Sequence, residues 1–305
     1  MRARLRRQVK IVCALLATTA PAAAQDSAFL PPGRLYAVAD TRLHMLCVGA
    51  GSPAIVLEAG LAGNYLDWSL VQPLLARSHR VCAYDRAGAG FSARSERPRS
   101  IAHMTEELHL LTQAAGIATP FVLAGHSFGG LLTLGYVQRY RADVAGLVLL
   151  DPVHPSQFER FAAAGVILPT EPQLILGRTG GLAALYGLPE AQRPLALHLS
   201  GQETARVFIV REMRGMPEAA RAVREMPLPR LPARILLHGN REWDGPYPDG
   251  RMENVWTQMQ GELAAALGAP PPRAVPGSGH QLALDAPEAV AAAIEELAAG
   301  LELQP

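Results

Sequence analysis

The sequence predicts an α/β protein with a mostly parallel β-sheet flanked by helices. From Leu43 onwards, short runs of β-branched and apolar residues alternate with amphipathic helical stretches. Several of the short runs, such as AIVLEAG at 54–60 and AGLVLLD at 145–151, are largely apolar. Strands of this kind are buried on both faces, and their alternation with helices is typical of a parallel sheet with helices on both sides.

The predicted elements follow one another regularly up to residue 151. Helices are expected over residues 64–78, 100–116 and 128–140. Strands are expected over residues 43–48, 54–60, 79–85, 120–125 and 145–151. In the helix at 100–116, Ser100 is the expected N-cap and Gly116 the expected stop.

The alternation stops after residue 152 and resumes at residue 231. Residues 153–230 are rich in Pro, Ala, Gly, Arg and Leu and contain helical stretches without a strand rhythm. The later elements are a strand at 233–239, a helix at 252–268, a strand at 273–277 and a helix at 285–300. For the last helix we expect Asp285 as N-cap, Pro287 in the first turn and Gly300 as the stop. The pattern predicts one core in two parts, 25–152 and 231–305, interrupted by a helical insertion over 153–230.

The first 24 residues have the features of a secretory signal peptide. A basic segment over 1–10 precedes a short apolar stretch and an Ala-x-Ala site, which predicts cleavage after Ala24. The apolar stretch is shorter than the ~20 residues that a bilayer-spanning helix needs. We therefore expect an exported protein, periplasmic or secreted, without stable membrane insertion; an uncleaved N-terminal anchor is the alternative.

The charges do not favour a nucleic-acid partner. The chain has 28 basic and 27 acidic residues, and five of the basic ones lie in the leader. A protein that binds nucleic acid or an anionic membrane surface carries a basic patch, and the sequence contains none outside the leader.

Ser127 is the candidate nucleophile. It lies between Gly125 and Gly129 in a Gly-x-Ser-x-Gly motif, after a predicted strand and before a predicted helix. On such a sharp turn the serine projects its Oγ above the sheet, and the helix that follows directs its N-terminus at the developing anion. The neighbouring His126 is expected to point elsewhere.

His280 is the candidate base. It lies in a glycine-containing loop, GSGH, between the last predicted strand and the last predicted helix. A loop at the carboxyl edge of a parallel sheet can bring an imidazole to a serine that is distant in sequence.

Four segments together resemble the α/β-hydrolase family. They are EAGLAGNYLDW, YDRAGAGFS, GHSFGG and GSGH, in that order and spacing. The resemblance covers residues 34–151 and 231–300 and is weak across the insertion, where members of the family carry a variable helical cap. It implies an eight-stranded sheet with a cap after strand 6, a triad in chain order serine, acid, histidine, and hydrolysis through an acyl-enzyme.

The resemblance also implies an oxyanion hole. Family members usually have His-Gly after the third strand, where this chain has Ala59 and Gly60. The change matters little, because the donor is the backbone N–H of the next residue, Leu61. The second donor is the N–H of Phe128, directly after the nucleophile.

The triad acid has three candidates. Asp151 ends an apolar strand at the carboxyl edge of the sheet and is our preferred choice. The family more often places the acid after the strand at 233–239, which makes Glu242 and Asp244 the alternatives. The Pro- and Gly-rich segment around those two residues is a poor platform for a carboxylate that must be held accurately.

Two residue pairs are expected to have structural roles. In the fold that the resemblance implies, the second and fourth strands are neighbours, which suggests a disulfide between Cys47 and Cys82. Asp85 and Arg86 are expected to brace the loops around them.

The sequence as a whole predicts an exported serine hydrolase that cleaves a small-molecule ester or related acyl substrate. No cofactor or metal is expected, because no His and Cys cluster has ligand spacing. The same triad serves lactonases, C–C bond hydrolases, proline-releasing peptidases and acyltransferases, and these remain alternatives. Epoxide hydrolases and haloalkane dehalogenases use an aspartate nucleophile, so Ser127 argues against both. An alternative of another class is a non-catalytic protein that binds a small ligand on the same scaffold.

Overall fold

Eight strands form one sheet in the computed structural model of the protein, which describes residues 29–168, 187–242 and 247–302. The strands are β1 Arg34–Val38, β2 Thr41–Val48, β3 Ile55–Glu58, β4 Val81–Tyr84, β5 Phe121–His126, β6 Val144–Leu150, β7 Ala233–His238 and β8 Arg273–Val275. Their order in the sheet is β1-β2-β4-β3-β5-β6-β7-β8. β2 is antiparallel to both β1 and β4, and all other neighbours are parallel. The predicted eight-stranded, mostly parallel sheet is confirmed.

The central strands are buried on both faces. Every residue of β3, β4 and β5 is buried, which explains why these strands are almost continuously apolar in sequence. Helices cover the two faces, and the sheet separates the buried side chains into two large clusters. The described α-helices are α1 Gln72–Leu75, α2 Ile101–Ala114, α3 Phe128–Arg139, α4 Gln157–Ala163, α5 Arg193–Gly201, α6 Glu203–Arg224, α7 Arg251–Leu267, α8 Leu282–Asp285 and α9 Pro287–Glu302.

Of the described helices, α4, α5 and α6 lie between β6 and β7, where the sequence predicts the helical insertion. The longest, α6, buries a stripe at helical spacing that includes Phe208, Ile209 and Glu212. It rests on α3, where Gln138 Nε2 donates to the carbonyl of Val223 at 2.8 Å. The cap helix α6 is therefore packed on the core along one face.

The capping of α2 is as predicted. The hydroxyl of Ser100 accepts the N–H of His103 at 3.3 Å, and Gly116 takes a positive φ of 60° just after the helix.

The helix expected over 64–78 divides into two short pieces. Asn64 caps a 3-10 turn over Tyr65–Trp68 by accepting the N–H of Leu66 at 2.9 Å, and α1 follows separately. Pro73 lies at the start of α1, where a proline is tolerated because the first N–H groups of a helix have no intrahelical partner. The amphipathic pattern over 64–78 thus corresponds to a 3-10 turn and a separate short α-helix, and the single predicted helix is wrong.

Pro287 lies in the first turn of the last helix as predicted, but the predicted N-cap and stop are wrong. Asp285 ends the short helix α8, and its Oδ2 accepts the N–H of Gly279 at 2.8 Å instead of capping α9. Helix α9 begins at Pro287, and it continues past Gly300 to Glu302. Asp285 thus stabilises the loop before His280, a contact between segments that capping rules do not consider.

The predicted signal peptide and the candidate acid Asp244 lie outside the described residues. Within the described ranges, we find no helix with the length and apolar character needed to cross a bilayer.

Candidate active site

The predicted nucleophile Ser127 occupies a strained turn between β5 and α3. Its backbone has φ 51° and ψ −118°, outside the regions that most non-glycine residues adopt. A Cβ on Gly125 would lie 2.6 Å from Thr133 Cγ2, and one on Gly129 would lie 2.4 Å from the carbonyl oxygen of Ala59. Both flanking positions therefore require glycine because neighbouring atoms leave no room for a side chain.

His280 reaches Ser127 from the loop after β8. Its Nε2 lies 3.0 Å from Ser127 Oγ, within hydrogen-bond distance for proton transfer. The His280 side chain is 23% exposed, so the pair opens to solvent on one side. Residues 153 positions apart in the sequence thus meet above the sheet.

Asp151 is the carboxylate that hydrogen-bonds the far side of the His280 ring. Its Oδ2 lies 2.5 Å from His280 Nδ1, and its Oδ1 accepts the indole N–H of Trp256 at 2.8 Å. Asp151 is fully buried, and burial alone would raise its pKa. The hydrogen bonds from His238 and His280 outweigh burial and hold the pKa of Asp151 well below its usual range.

The alternative acid Glu242 lies beside the loop that carries His280, but its carboxylate contacts the loop backbone at Gly279. Its side chain is exposed, and a Cβ on Gly279 would fall 2.1 Å from Glu242 Oε1. Its carboxylate therefore lies against the loop backbone, whereas Asp151 meets the imidazole.

The two predicted oxyanion donors belong to segments that adjoin the serine, the start of α3 and the loop of Gly60. Phe128 begins α3, so its N–H belongs to the electropositive end of that helix. Gly60 packs against the nucleophile, since a Cβ there would lie 3.4 Å from Ser127 Cβ. The carbonyl of Gly60 accepts from Arg86 Nη2 at 2.7 Å. Because C=O and N–H point in opposite directions across a trans peptide, the N–H of Leu61 points away from Arg86.

Arg86 connects this loop with the cap helix. Its Nη1 donates to Glu58 Oε1 and to the carbonyl of Ala59, each at 2.6 Å. Glu212 on α6 accepts from Arg86 Nε at 2.6 Å and from Nη2 at 2.7 Å. With the bond to Gly60, all five N–H groups of the buried guanidinium are paired. Arg86 therefore braces the predicted oxyanion loop, residues 59–61, and Glu212 orients Arg86.

Asp85, the neighbour of Arg86 in the chain, braces other loops. Its carboxylate accepts the N–H groups of Tyr65 and Phe91 at 2.8 and 2.9 Å and lies 2.8 Å from His44 Nδ1. Asp85 and Arg86 both hydrogen-bond neighbouring loops, as expected from the sequence.

His126, next to the nucleophile, contacts the base through the backbone. Its Nε2 lies 2.7 Å from the carbonyl oxygen of His280, and because a carbonyl can only accept, this nitrogen carries the proton. Burial, together with the nearby His280, lowers the pKa of His126 to about 3. His126 is therefore a neutral donor that links the nucleophile turn to the loop of His280.

Asp151, His238 and His280 are the described residues whose arrangement comes nearest to a metal site, with ligand atoms within 4.8 Å of one another. Both histidine Nδ1 atoms face the same oxygen, Asp151 Oδ2, at 2.5 and 2.6 Å. These are distances of N–H donors to a shared carboxylate, and a histidine nitrogen that carries a proton cannot bind a metal. We assign the cluster to hydrogen bonding.

Cys47 and Cys82 face each other across β2 and β4, and their sulfur atoms lie at bonding distance. The strand pairing that the resemblance implied is thus present. A disulfide in the protein in solution is our proposal.

Sequence comparison assigns the family. Residues 46–293, most of the chain, match the model of a family described as the alpha/beta hydrolase family. The chain belongs to the alpha/beta hydrolase family. Within this family, 2-hydroxy-6-oxo-2,4-heptadienoate hydrolase of Pseudomonas putida is 32% identical over 128 residues, which are 40% of this chain and 45% of that protein. In the matches with curated relatives, the chain spans less than half of the relative's length.

Solved structures resemble this alpha/beta hydrolase over nearly its whole length. A haloalkane dehalogenase, DbeA from Bradyrhizobium elkani, superposes with a TM-score of 0.67 at 18% identity, covering 89% of this chain and 99% of that one. A thermophilic esterase from Thermogutta terrifontis superposes with a TM-score of 0.60 at 21% identity, covering 88% and 98%. At these identities the likeness shows the fold.

The residues of the site that were not anticipated from the sequence include His238 and Glu212. His238 is the last residue of β7, and a polar residue at the carboxyl end of a parallel strand is a signal that could have identified it. Glu212 lies in the insertion, and only the helical spacing of its apolar neighbours indicates that it is buried.

Proposed function

We propose that this chain is a serine hydrolase that cleaves small esters or related acyl substrates through an acyl-enzyme on Ser127. The observation that supports it is the unbroken series Ser127 Oγ, His280 Nε2, His280 Nδ1 and Asp151 Oδ2, joined at 3.0 and 2.5 Å. The N–H groups of Leu61 and Phe128 complete the proposed machinery.

In the acylation step, His280 removes the proton of Ser127 while Oγ attacks the substrate carbonyl. The carbonyl oxygen becomes an anion, and the N–H groups of Leu61 and Phe128 stabilise it. Collapse of the tetrahedral intermediate transfers the proton from His280 to the leaving group and leaves the acyl group on Ser127. Asp151 holds the ring so that Nε2 faces the serine, and it stabilises the positive charge that His280 gains.

In the second step, water replaces the leaving group. His280 removes a proton from this water, and the resulting nucleophile attacks the acyl carbon. The acid product leaves when His280 returns its proton to Ser127 Oγ. No group other than those of the chain, the substrate and water takes part in the proposed cycle.

Export is part of the same proposal. The basic and apolar leader over 1–24 supports transfer to the periplasm or the medium, and a disulfide between Cys47 and Cys82 is compatible with an oxidising compartment. N-terminal sequencing of the protein from culture fractions tests it, since a mature chain that begins at Gln25 is expected.

Turnover of a series of p-nitrophenyl esters tests the proposed activity. Ser127→Ala is expected to reduce kcat by a factor of at least about 10³, because the oxyanion donors and binding alone then remain. Ser78→Ala, which changes an exposed serine, is the matched control and should keep full activity. Equal activity in wild type and Ser127→Ala would refute the proposal.

A further inference from the structure

A second histidine shares the carboxylate that holds His280. His238 is the last residue of β7, next to β6 in the sheet, and its side chain is 1% exposed. Its Nδ1 lies 2.6 Å from Asp151 Oδ2, the same oxygen that His280 Nδ1 approaches at 2.5 Å. Two imidazoles thus meet at one buried oxygen.

The other nitrogen of His238 also faces a carboxylate. Its Nε2 lies 2.8 Å from Glu253 Oε1 on α7. Glu253 precedes Trp256 by three residues, so the same face of α7 supplies the indole N–H to Asp151 Oδ1. Helix α7 therefore contacts both ends of the Asp151–His238 pair.

These contacts determine the protonation of His238. A carboxylate oxygen only accepts, so hydrogen bonds at both ring nitrogens require two N–H groups, as in the imidazolium ion. Burial alone would lower the pKa of His238, but the hydrogen bond and charge of Asp151, with Glu253, raise it to about 9. His238 is thus a cation at neutral pH.

The titratable groups that face His238 come from three elements. Asp151 follows β6, Glu253 lies on α7, and His280 lies in the loop after β8. The first two are anions, and their charges stabilise the imidazolium. His280 gains a positive charge in each proposed chemical step, and the cation on His238 opposes that gain.

We propose that His238, held by Glu253, is a positioning residue that shares the Oδ2 of Asp151 with His280 and opposes the positive charge that His280 gains in the reaction. This proposal rests on the role of His280 as base. The positive charge beside Asp151 offsets part of the carboxylate's pull on His280. Glu253 prevents His238 from rotating away or losing its proton.

The pH dependence of kcat/KM tests this role in the active enzyme. His238→Asn keeps a side-chain N–H near the position of Nδ1 but carries no charge. The acidic limb of the profile should then move upward by about one pH unit, because a like charge near His280 has been removed. A loss of fold or of packing alone would lower the plateau without moving the limb.

The matched control is His109→Asn. His109 Nδ1 lies 2.7 Å from Asp143 Oδ2, which precedes β6, so this His–Asp pair lies at the opposite end of the strand from Asp151. Its replacement should leave the acidic limb in place.

Histidine titration by NMR tests the charge without any turnover. In Ser127→Ala protein, the His238 ring should titrate near pH 9 and remain protonated at pH 7. Glu253→Gln retains an acceptor for Nε2–H but removes the charge, so the midpoint of His238 should fall. These readouts remain valid if no ester is cleaved, which separates failure of this inference from failure of the proposed function.

Two results overturn the inference. One is a His238 ring that is neutral at pH 7 in the folded protein. The other is an acidic limb that stays at the wild-type position in folded His238→Asn.

Discussion

Glu212 on the cap helix is expected to control the oxyanion loop of the core. It contacts Arg86 through two hydrogen bonds of 2.6 and 2.7 Å, and Arg86 in turn donates to the carbonyls of Ala59 and Gly60. Glu212→Gln weakens these contacts with little change in side-chain volume. The amide oxygen can accept one N–H of the guanidinium, and the amide nitrogen faces the other.

The size of the effect follows from what remains around Arg86. Glu58 still balances the guanidinium charge at 2.6 Å, so the substitution leaves no uncompensated buried cation. We therefore expect a loss of about 2 kcal/mol in the free energy of unfolding, the cost of one charge-assisted hydrogen bond. Glu212→Ala should cost more, because it removes both hydrogen bonds and leaves two N–H groups of the buried guanidinium without this partner.

Activity should fall together with stability. Removing one oxyanion donor costs a factor of about 10²–10³ in kcat, and a misoriented donor costs less. We expect Glu212→Gln to lower kcat by about 10-fold with little change in KM, because the oxyanion contact forms mainly in the transition state.

The assays are urea unfolding and ester kinetics on the same preparations. Glu218→Gln is the matched control, since Glu218 lies on the same helix but pairs with exposed Arg221. Its unfolding midpoint and kcat should match the wild type. The reasoning is refuted if Glu212→Gln behaves like this control, or if it loses stability while its kcat stays unchanged.

Three further outcomes test other contacts of the site. Asp151→Asn should lower kcat by roughly 10⁴-fold and Glu242→Gln by far less, because Asp151 bonds Nδ1 of His280 whereas Glu242 lies against the loop backbone. The reverse order of kcat values would move the acid to position 242. Gly129→Ala should lower kcat at least about 100-fold, since the new Cβ would lie 2.4 Å from the carbonyl oxygen of Ala59 and displace the oxyanion loop. Wild-type kinetics in this variant would show that the loop can move without loss of activity. Alkylation of denatured, unreduced protein should label neither Cys47 nor Cys82, and alkylation of both thiols before reduction would exclude the disulfide. Reduction should lower the free energy of unfolding by about 3–4 kcal/mol, as expected for a 35-residue separation.

Much of the fold and of the site could be predicted from local sequence. The sharp turn at Ser127 requires small residues on both sides, and the two glycines record that requirement directly. Asp151 and His280 could be chosen because residues at the carboxyl ends of parallel strands meet at one edge of the sheet. Their role as a triad remains a prediction, and the geometry is compatible with it.

The remaining contacts depend on tertiary packing. Asp285 was expected to cap a helix, but its carboxylate accepts the N–H of Gly279 in a neighbouring loop. Glu212 meets Arg86 across 126 residues, and the sequence around it resembles any amphipathic helix. His238 gains its charge only because β7 ends beside Asp151 and α7 presents Glu253. Local patterns carry no information on such partners.

The nucleophilic role of Ser127 is tested most directly by a fluorophosphonate probe followed by peptide mass mapping. This reagent phosphonylates a serine that a neighbouring base activates, as His280 is placed to do at 3.0 Å. We predict one adduct, on the peptide that contains Ser127, and its loss in His280→Ala and in protein unfolded by urea. Folded wild-type protein that carries no adduct on Ser127 would contradict the account.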